Sequence, residues 1–217
     1  VGVLGEGEQR QRDQRDEYRA AREGKRGADR QAVCGADVVV PETQDCCGAI
    51  HHHAGFHEPA MERAKKNIDA FLPLNGEKVD YIVSTIAGCG AMIREYDFLL
   101  RDDEEYRDRA KVFASKVRDV SEVLFEMGLP PMRHAIDETI TYHDACHLLH
   151  AQKVSAQPRA LLAKIPALRM VALPECDMCC GAAGTYNLTH PKMATELAER
   201  KIRHIESTKT TLVVTGN

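Results

Sequence analysis

Tryptophan is absent, and the three aromatic residue types together make up 5% of the 217 residues. Large rings therefore cannot supply most of a core. No apolar run approaches the roughly 20 residues that a membrane-crossing helix needs. The opening also lacks the basic-then-apolar pattern of a secretory signal. Nor is there a surplus of one charge: the formal net charge is -4, which gives no electrostatic case for a nucleic-acid partner. The chain starts at Val1 rather than at a methionine, so a piece of a longer protein is expected.

What remains is an ordinary globular composition, 43% hydrophobic and 29% charged, long enough for one sizeable core or two small ones. Against it stand eight cysteines, at 34, 46, 47, 89, 146, 176, 179 and 180. An even count suggests disulfides in a short secreted chain. Here the chain is long and lacks a signal peptide, so a reducing compartment and metal or redox use of the thiols are expected.

The cysteines are organised by a repeat. Pro41-Glu42 leads to Cys46-Cys47-Gly48-Ala49, and Pro174-Glu175 leads at the same interval to Cys179-Cys180-Gly181-Ala182. Adjacent cysteines are awkward for a fold, because a disulfide between neighbours forces their Cα atoms closer than bridged residues prefer. Meeting such a pair twice suggests sulfurs aimed at something that takes several thiolates at once.

Taken in order, Gly5 to Arg30 is dense in charges of both signs and reads as a solvated helix or a disordered arm. Asp37-Val38-Val39-Val40-Pro41 predicts a short buried strand. The first cysteine pair follows, then a helix whose inner face is Ala60, Met61, Ala64, Ile68, Phe71 and Leu72. Asn75-Gly76 ends it, Val79 to Thr85 predicts a strand, and Gly88-Cys89-Gly90 makes a loop at that strand's carboxyl end. Tyr106, Ala110, Phe113, Val117, Val120, Leu124 and Met127 then recur at heptad spacing, which predicts one long core helix. In the second half, Thr139 to Tyr142, Arg169 to Leu173 and Thr211 to Thr215 predict strands. His143 to His147 opens a helix with Asp144 as N-cap. Met193, Ala194, Leu197, Ala198, Ile202 and Ile205 line the last helix. The expected architecture is α/β: two tandem repeats, each a small open sheet flanked by helices with cysteine loops at strand ends. The expected divisions are a charged, non-native or disordered arm over 1–35, a first repeat over 36–102, a linking helix over 103–131 and a second repeat over 132–217.

A complete unit pairs one cysteine, a vicinal pair and a last cysteine, four thiolates that loops of an open sheet can bring to one rim. Each copy here is one short. The first has Cys46, Cys47 and Cys89; the second has Cys146, Cys179 and Cys180, and its last cysteine falls just past Asn217 by analogy. Cys34 and Cys176 are substitutes or bystanders. Thiolate sets of this kind suit an iron–sulfur cluster or a structural zinc. The vicinal pair and long gaps favour the cluster, whereas Cys176-Asp177-Met178-Cys179 keeps zinc and dithiol chemistry at Cys176, Cys179 and Cys180 open. Cys146, at a helix start, is expected to have a stabilised thiolate. His143 and His147 bracket it and are candidate hydrogen-bond donors around the sulfurs, or caps. His51, His52 and His53 follow the first pair. Tyr186 and Asn187 follow the second as further candidate donors, or as caps of the next helix.

The segments VVVPETQDCCGA, AGCGAMIREY, TYHDACHLLHAQ and LPECDMCCGAAGTYNLTHPKMA resemble the cysteine-rich CCG domain family. The resemblance is nearest to glycolate oxidase iron–sulfur subunits, and weaker to lactate-utilisation iron–sulfur proteins and to heterodisulfide reductase. It covers roughly Ala36 to Asn217. It implies a non-catalytic electron-transfer subunit with iron–sulfur clusters, of 4Fe-4S type, on Cys46, Cys47, Cys89, Cys146, Cys179 and Cys180. It also implies partner subunits carrying FAD that oxidise glycolate to glyoxylate, the quinone pool as distal acceptor, and a cytoplasmic place at the inner face of the membrane. Two departures stand out: the family's ferredoxin-like cysteine runs and its first cysteine segment are not in this sequence.

Overall fold

Two short parallel sheets carry the cysteine segments, and helices cross between their strands as parallel pairing requires. The computed structural model describes residues 35–72 and 79–216. The charged arm up to residue 34, Cys34 and the Asn75-Gly76 turn lie outside the described residues.

Residues 41–217 form one unit. It begins with α1 (Ala49–His53), α2 (His57–Phe71), β1 (Ile82–Ser84), α3 (Ala87–Arg94), α4 (Tyr96–Leu99) and α5 (Arg107–Lys116). After β2 (Val117–Asp119) come α6 (Val120–Met127) and β3 (Thr139–His143). A π-helical turn, His147–Ala151, leads to α7 (Ala156–Leu162), β4 (Arg169–Val171), α8 (Tyr186–Thr189), α9 (Pro191–Ser207) and β5 (Leu212–Thr215). In the first sheet β1 pairs with β2, Ile82 opposite Val117. In the second, β3 lies between β4 and β5, with Ile140 opposite both Met170 and Leu212.

The main core belongs to the first copy. Ala64 and Ile68 of α2, Ile82 of β1, Met92 of α3, Tyr96, Phe113 and Val117 pack together with Cys47. The face of α2 is where its period places it. A smaller cluster of Ala87, Ala145, Leu148 and Val154 lies where α3 meets the π-helical turn.

Several local expectations change. Val38, Val39 and Val40 form no strand and stay exposed. The long helix expected over 103–131 is two helices with β2 between them. Val117 leaves the helix to pair with Ile82, and Asp119 starts the next helix through a capping box: its carboxylate accepts from Ser121 N (2.8 Å), and Asp119 N donates to Glu122 Oε2 (2.8 Å). Cys89 lies in the first turn of α3 rather than in a loop. Asp144 caps nothing, because Arg159 holds its two oxygens at 2.6 and 2.5 Å. On α9, Met193 and Ile202 are exposed, and the buried positions are Ala194 and Lys201.

Candidate functional site

Each CCG turn is built by its glycine. Gly48 has φ +81°, and a Cβ there would meet Ala60 O of α2 at 3.2 Å. Gly181 has φ +91°, and its Cβ would meet Ala194 O of α9 at 2.4 Å. A residue without a side chain is required twice over, by the left-handed backbone and by the helix lying against it. This is why the motif ends in glycine: the turn can then lie against a helix backbone and present the two preceding thiols together.

In the first copy, burial holds the Cys47 thiol protonated and pushes its pKa up to about 12, and the neighbouring thiols of Cys89 and Cys46 add to the effect. The carbonyls of this pair are tied by uncharged groups. Tyr96 OH donates to Cys47 O (2.9 Å), and Asn67 Nδ2 donates to Cys46 O (3.2 Å) and to Tyr96 Oη (3.0 Å). Asn67 Oδ1 in turn accepts from Asp45 N at 2.8 Å. Burial raises the Tyr96 hydroxyl well above its ordinary range, so it remains a donor. Asp45 itself accepts from Cys46 N (2.7 Å) and pairs with Arg63 (2.7 Å).

In the second copy Cys146 stands beside Cys179 and Cys180. Burial raises its pKa, and the Cys179 thiol reinforces that rise. The helix-start stabilisation expected for Cys146 is therefore outweighed. The following turn is only five residues long and π-helical, and the one opposing contribution is the backbone hydrogen bond from His147. His147 Nδ1 lies 3.6 Å from Cys146 Sγ, and Gly181 N donates to Cys179 Sγ at 3.4 Å. His143 turns away to the backbone, with Nδ1 3.0 Å from Cys176 O. Cys176 lies by the Asp144 carboxylate rather than with the other three thiols, and burial raises its pKa. Tyr186 stacks on His190 with ring centroids 4.3 Å apart, and no hydrogen bond joins its hydroxyl to a sulfur among the described residues.

Elements that carry the two sets of thiols are in contact. Helix α3, which carries Cys89, packs on the turn that follows Cys146. Gln152 Nε2 donates across this contact to Ala87 O at 2.8 Å, and Arg94 Nη1 donates to Gln152 O at 3.3 Å. His53, at the end of α1, has its ring centroid 6.3 Å from that of His147. His51 and His52 each bury Nδ1 without a partner among the described residues.

Sequence reasoning missed Asn67, Tyr96 and Lys201. Lys201 is 4% exposed, and its Nζ donates to Glu175 O at 2.5 Å. Burial lowers its pKa, an effect opposed by Cys176, Asp177, Cys180 and Glu175. A signal for two of the three did exist. Asn67 and Lys201 each stand one helical heptad after the alanine beneath the CCG glycine, Ala60 and Ala194.

As a donor set, three thiols in each copy suit soft metals. Among the described residues no three His, Cys, Asp or Glu side chains converge tightly enough for a single metal ion. No described helix is long and apolar enough to cross a membrane.

The cysteine-rich domain family matches residues 28–94 and 140–217. The chain belongs to the cysteine-rich domain family. Among curated relatives of this cysteine-rich domain protein, the probable glycolate oxidase iron-sulfur subunit of Bacillus subtilis is 38% identical, over 85% of this chain and 41% of the relative. The glycolate oxidase iron-sulfur subunit of Escherichia coli is 34% identical, over 84% of this chain and 45% of the relative. Lactate utilization protein A of Halalkalibacterium halodurans is 31% identical, over 80% of this chain and 70% of the relative. The chain thus spans less than half the length of the two glycolate oxidase subunits.

Proposed function

We propose that this cysteine-rich domain protein is an iron–sulfur, electron-relaying part of an oxidoreductase. Cys46, Cys47 and Cys89 would hold one centre, and Cys146, Cys179 and Cys180 a second. The observation that carries the reading is the pair of thiol triads on equivalent CCG turns, placed on either side of the contact between α3 and the π-helical turn. A lone zinc ion needs ligands closing on one point, which the described side chains do not do. A cluster of 4Fe-4S type tolerates wider spacing, since its thiolates bind different irons. Bound there, such a group supplies reversible one-electron storage.

The chain's own residues do the rest. The CCG glycines hold each vicinal pair in place, Tyr96 and Asn67 fix the first loop, and burial keeps water from the Cys47 thiol. Because that thiol is protonated when free, loading the site must release protons.

The relatives' names support a finer reading. An FAD-bearing partner removes two electrons and two protons from glycolate, giving glyoxylate. The triads then relay the electrons one at a time toward the quinone pool, at the cytoplasmic face of the membrane. In this reading the oxidation itself takes place on the partner. We divide the chain accordingly into a first repeat over 36–102, a connecting segment over 103–131 and a second repeat over 132–217. Purification without oxygen, followed by iron and acid-labile sulfide analysis, tests the reading. A brown protein whose visible absorption bleaches on reduction supports it. A colourless protein with stoichiometric zinc supports a metal-stabilised assembly module instead. Activity that survives metal removal and is lost on alkylation supports a thiol–disulfide function.

A further inference from the structure

The carboxyl ends of four strands, parallel within each sheet, open onto one crevice of about 230 Å³. Thr85 stands just past β1, Asp119 ends β2, Tyr142 is next to last in β3, and Thr215 ends β5. Open α/β sheets bind ligands outside the carboxyl ends of their strands, and here two sheets present those ends to the same space. Leu124 of α6, Leu148 of the π-helical turn and Leu161 of α7 give the crevice apolar walls. One of its lining groups has no partner in the fold. Tyr142 is 3% exposed, and its Oη is buried without a hydrogen bond among the described residues. Arg159 lies over the ring, 4.7 Å from its centroid, but directs its guanidinium at both oxygens of Asp144. Burial pushes the Tyr142 pKa up to about 12, so the hydroxyl stays protonated and able to donate. Gly216 also lines the crevice, and a Cβ on it would stand 3.6 Å from Tyr142 Oη. The hydroxyl is therefore at the crevice, and the glycine leaves its approach clear. A buried hydroxyl that bonds nothing costs stability, which a ligand bonded to it would restore.

We propose that this crevice binds a small neutral molecule, with an apolar body about the size of one ring and a carbonyl oxygen that accepts from Tyr142 Oη. Size, charge and hydrogen bonding each narrow the ligand. An apolar cavity of roughly 150 Å³ is enough for benzene, so about 230 Å³ takes one ring with a short substituent. The charged side chain among the described lining residues is Asp119, which is buried and accepts from Ser121 N (2.8 Å) and Ser121 Oγ (2.5 Å). No lysine or arginine lines the crevice among the described residues, so a carboxylate ligand would be desolvated beside a like charge with nothing to pair it. A lone donor among apolar walls instead selects an acceptor oxygen on an apolar body. None of the described cysteines lines the crevice, so the inference stands apart from the iron–sulfur reading.

The test is ligand-observed fluorine NMR on the full chain with three matched probes. Para-fluoroacetophenone has the carbonyl, para-fluorotoluene lacks it, and para-fluorobenzoate carries a carboxylate in its place. The ketone is expected to bind saturably, the toluene more weakly and the benzoate weakest. Tyr142→Phe keeps the ring under Arg159 and removes only the hydroxyl; it is expected to weaken the ketone severalfold and leave the toluene unchanged. Leu161→Trp fills the space and is expected to abolish binding of both. No saturable binding of the ketone to the parent chain overturns the inference, as does a benzoate that binds as tightly as the ketone. An unchanged ketone affinity in Tyr142→Phe, equal losses of ketone and toluene there, or a folded Leu161→Trp chain that binds like the parent overturns it too. Tyr142→Phe removes no hydrogen bond made among the described residues, so its thermal unfolding should match the parent's, and its comparison decides the matter even where Leu161→Trp fails to fold. A chain that contains neither iron nor sulfide would sink the functional reading and leave this binding result standing.

Discussion

The two CCG turns share their letters and differ in how they are held. The first has its loop carbonyls bonded by the uncharged Tyr96 and Asn67 and Cys47 itself packed among Ile68, Met92 and Phe113, with the Asp45–Arg63 pair at Cys46 N as its charged anchor. The second has little apolar packing, and polar and charged side chains anchor it: Lys201 on Glu175 O, Arg200 and His204 on the Glu175 carboxylate, and Arg159 on Asp144. A motif that positions thiols can thus sit in two different frames of polar contacts.

The sharpest way to break this comparison is at the glycines. Gly181→Ala combines a left-handed backbone with a Cβ 2.4 Å from Ala194 O, and it is expected to abolish the second turn and with it the native fold of that half, seen as lost cooperative unfolding. Gly48→Ala meets Ala60 O at 3.2 Å, a milder contact, so it should cost less than Gly181→Ala, starting from the backbone penalty of about 1–2 kcal/mol. Equal costs in denaturant titrations would show that the two turns are not packed as described.

Next in size is the ion pair of the second copy. Asp144 is buried, and Arg159 holds its carboxyl below the usual range against the opposing effect of burial. A carboxylate with a lowered pKa contributes stability that is complete above its ordinary value near 3.8 and lost as pH falls through the folded value. Asp144→Asn is expected to cost about 1–3 kcal/mol at neutral pH. It should also remove part of the acid sensitivity in melts of the metal-free protein recorded between neutral and strongly acidic pH.

The first copy should respond at the opposite end of the pH scale. Cys47 has a folded pKa of about 12 against an ordinary value of 9.0, so its contribution to the metal-free fold is complete below pH 9.0 and lost as pH rises toward 12. Cys47→Ala should flatten that alkaline loss, while Cys176→Ala should leave most of it. The smallest effect is expected from Tyr96→Phe. It removes the donor to Cys47 O and costs about 1–2 kcal/mol in denaturant titrations, without changing the second copy's thiol reactivity.

Much of the scaffold was legible in the sequence because it follows periodicity. The α2 face of Ala60, Ala64 and Ile68, the strand from Thr139 and the repeated CCG letters all lie where local pattern places them. What escaped was decided by partners distant in sequence. Val117 fits a helical heptad and becomes a strand because Ile82 lies beside it. Val38 to Val40 read as a strand, yet form none. Asp144 has the letter of an N-cap and goes instead to Arg159 on α7. Lys201, within the charged surface sequence Glu199-Arg200-Lys201, gives no local sign of burial. Only overlaying the second copy on the first, so that it faces Asn67, marks it out.

The central claim is that both thiol triads gather iron and sulfide. Iron and acid-labile sulfide per chain, measured in protein prepared without oxygen and compared with its Cys89→Ser and Cys146→Ser variants, tests it most directly. The account predicts comparable amounts of both elements in the parent and a partial loss in each variant, one centre at a time. Neither element in the parent, or zinc in their place, would contradict it.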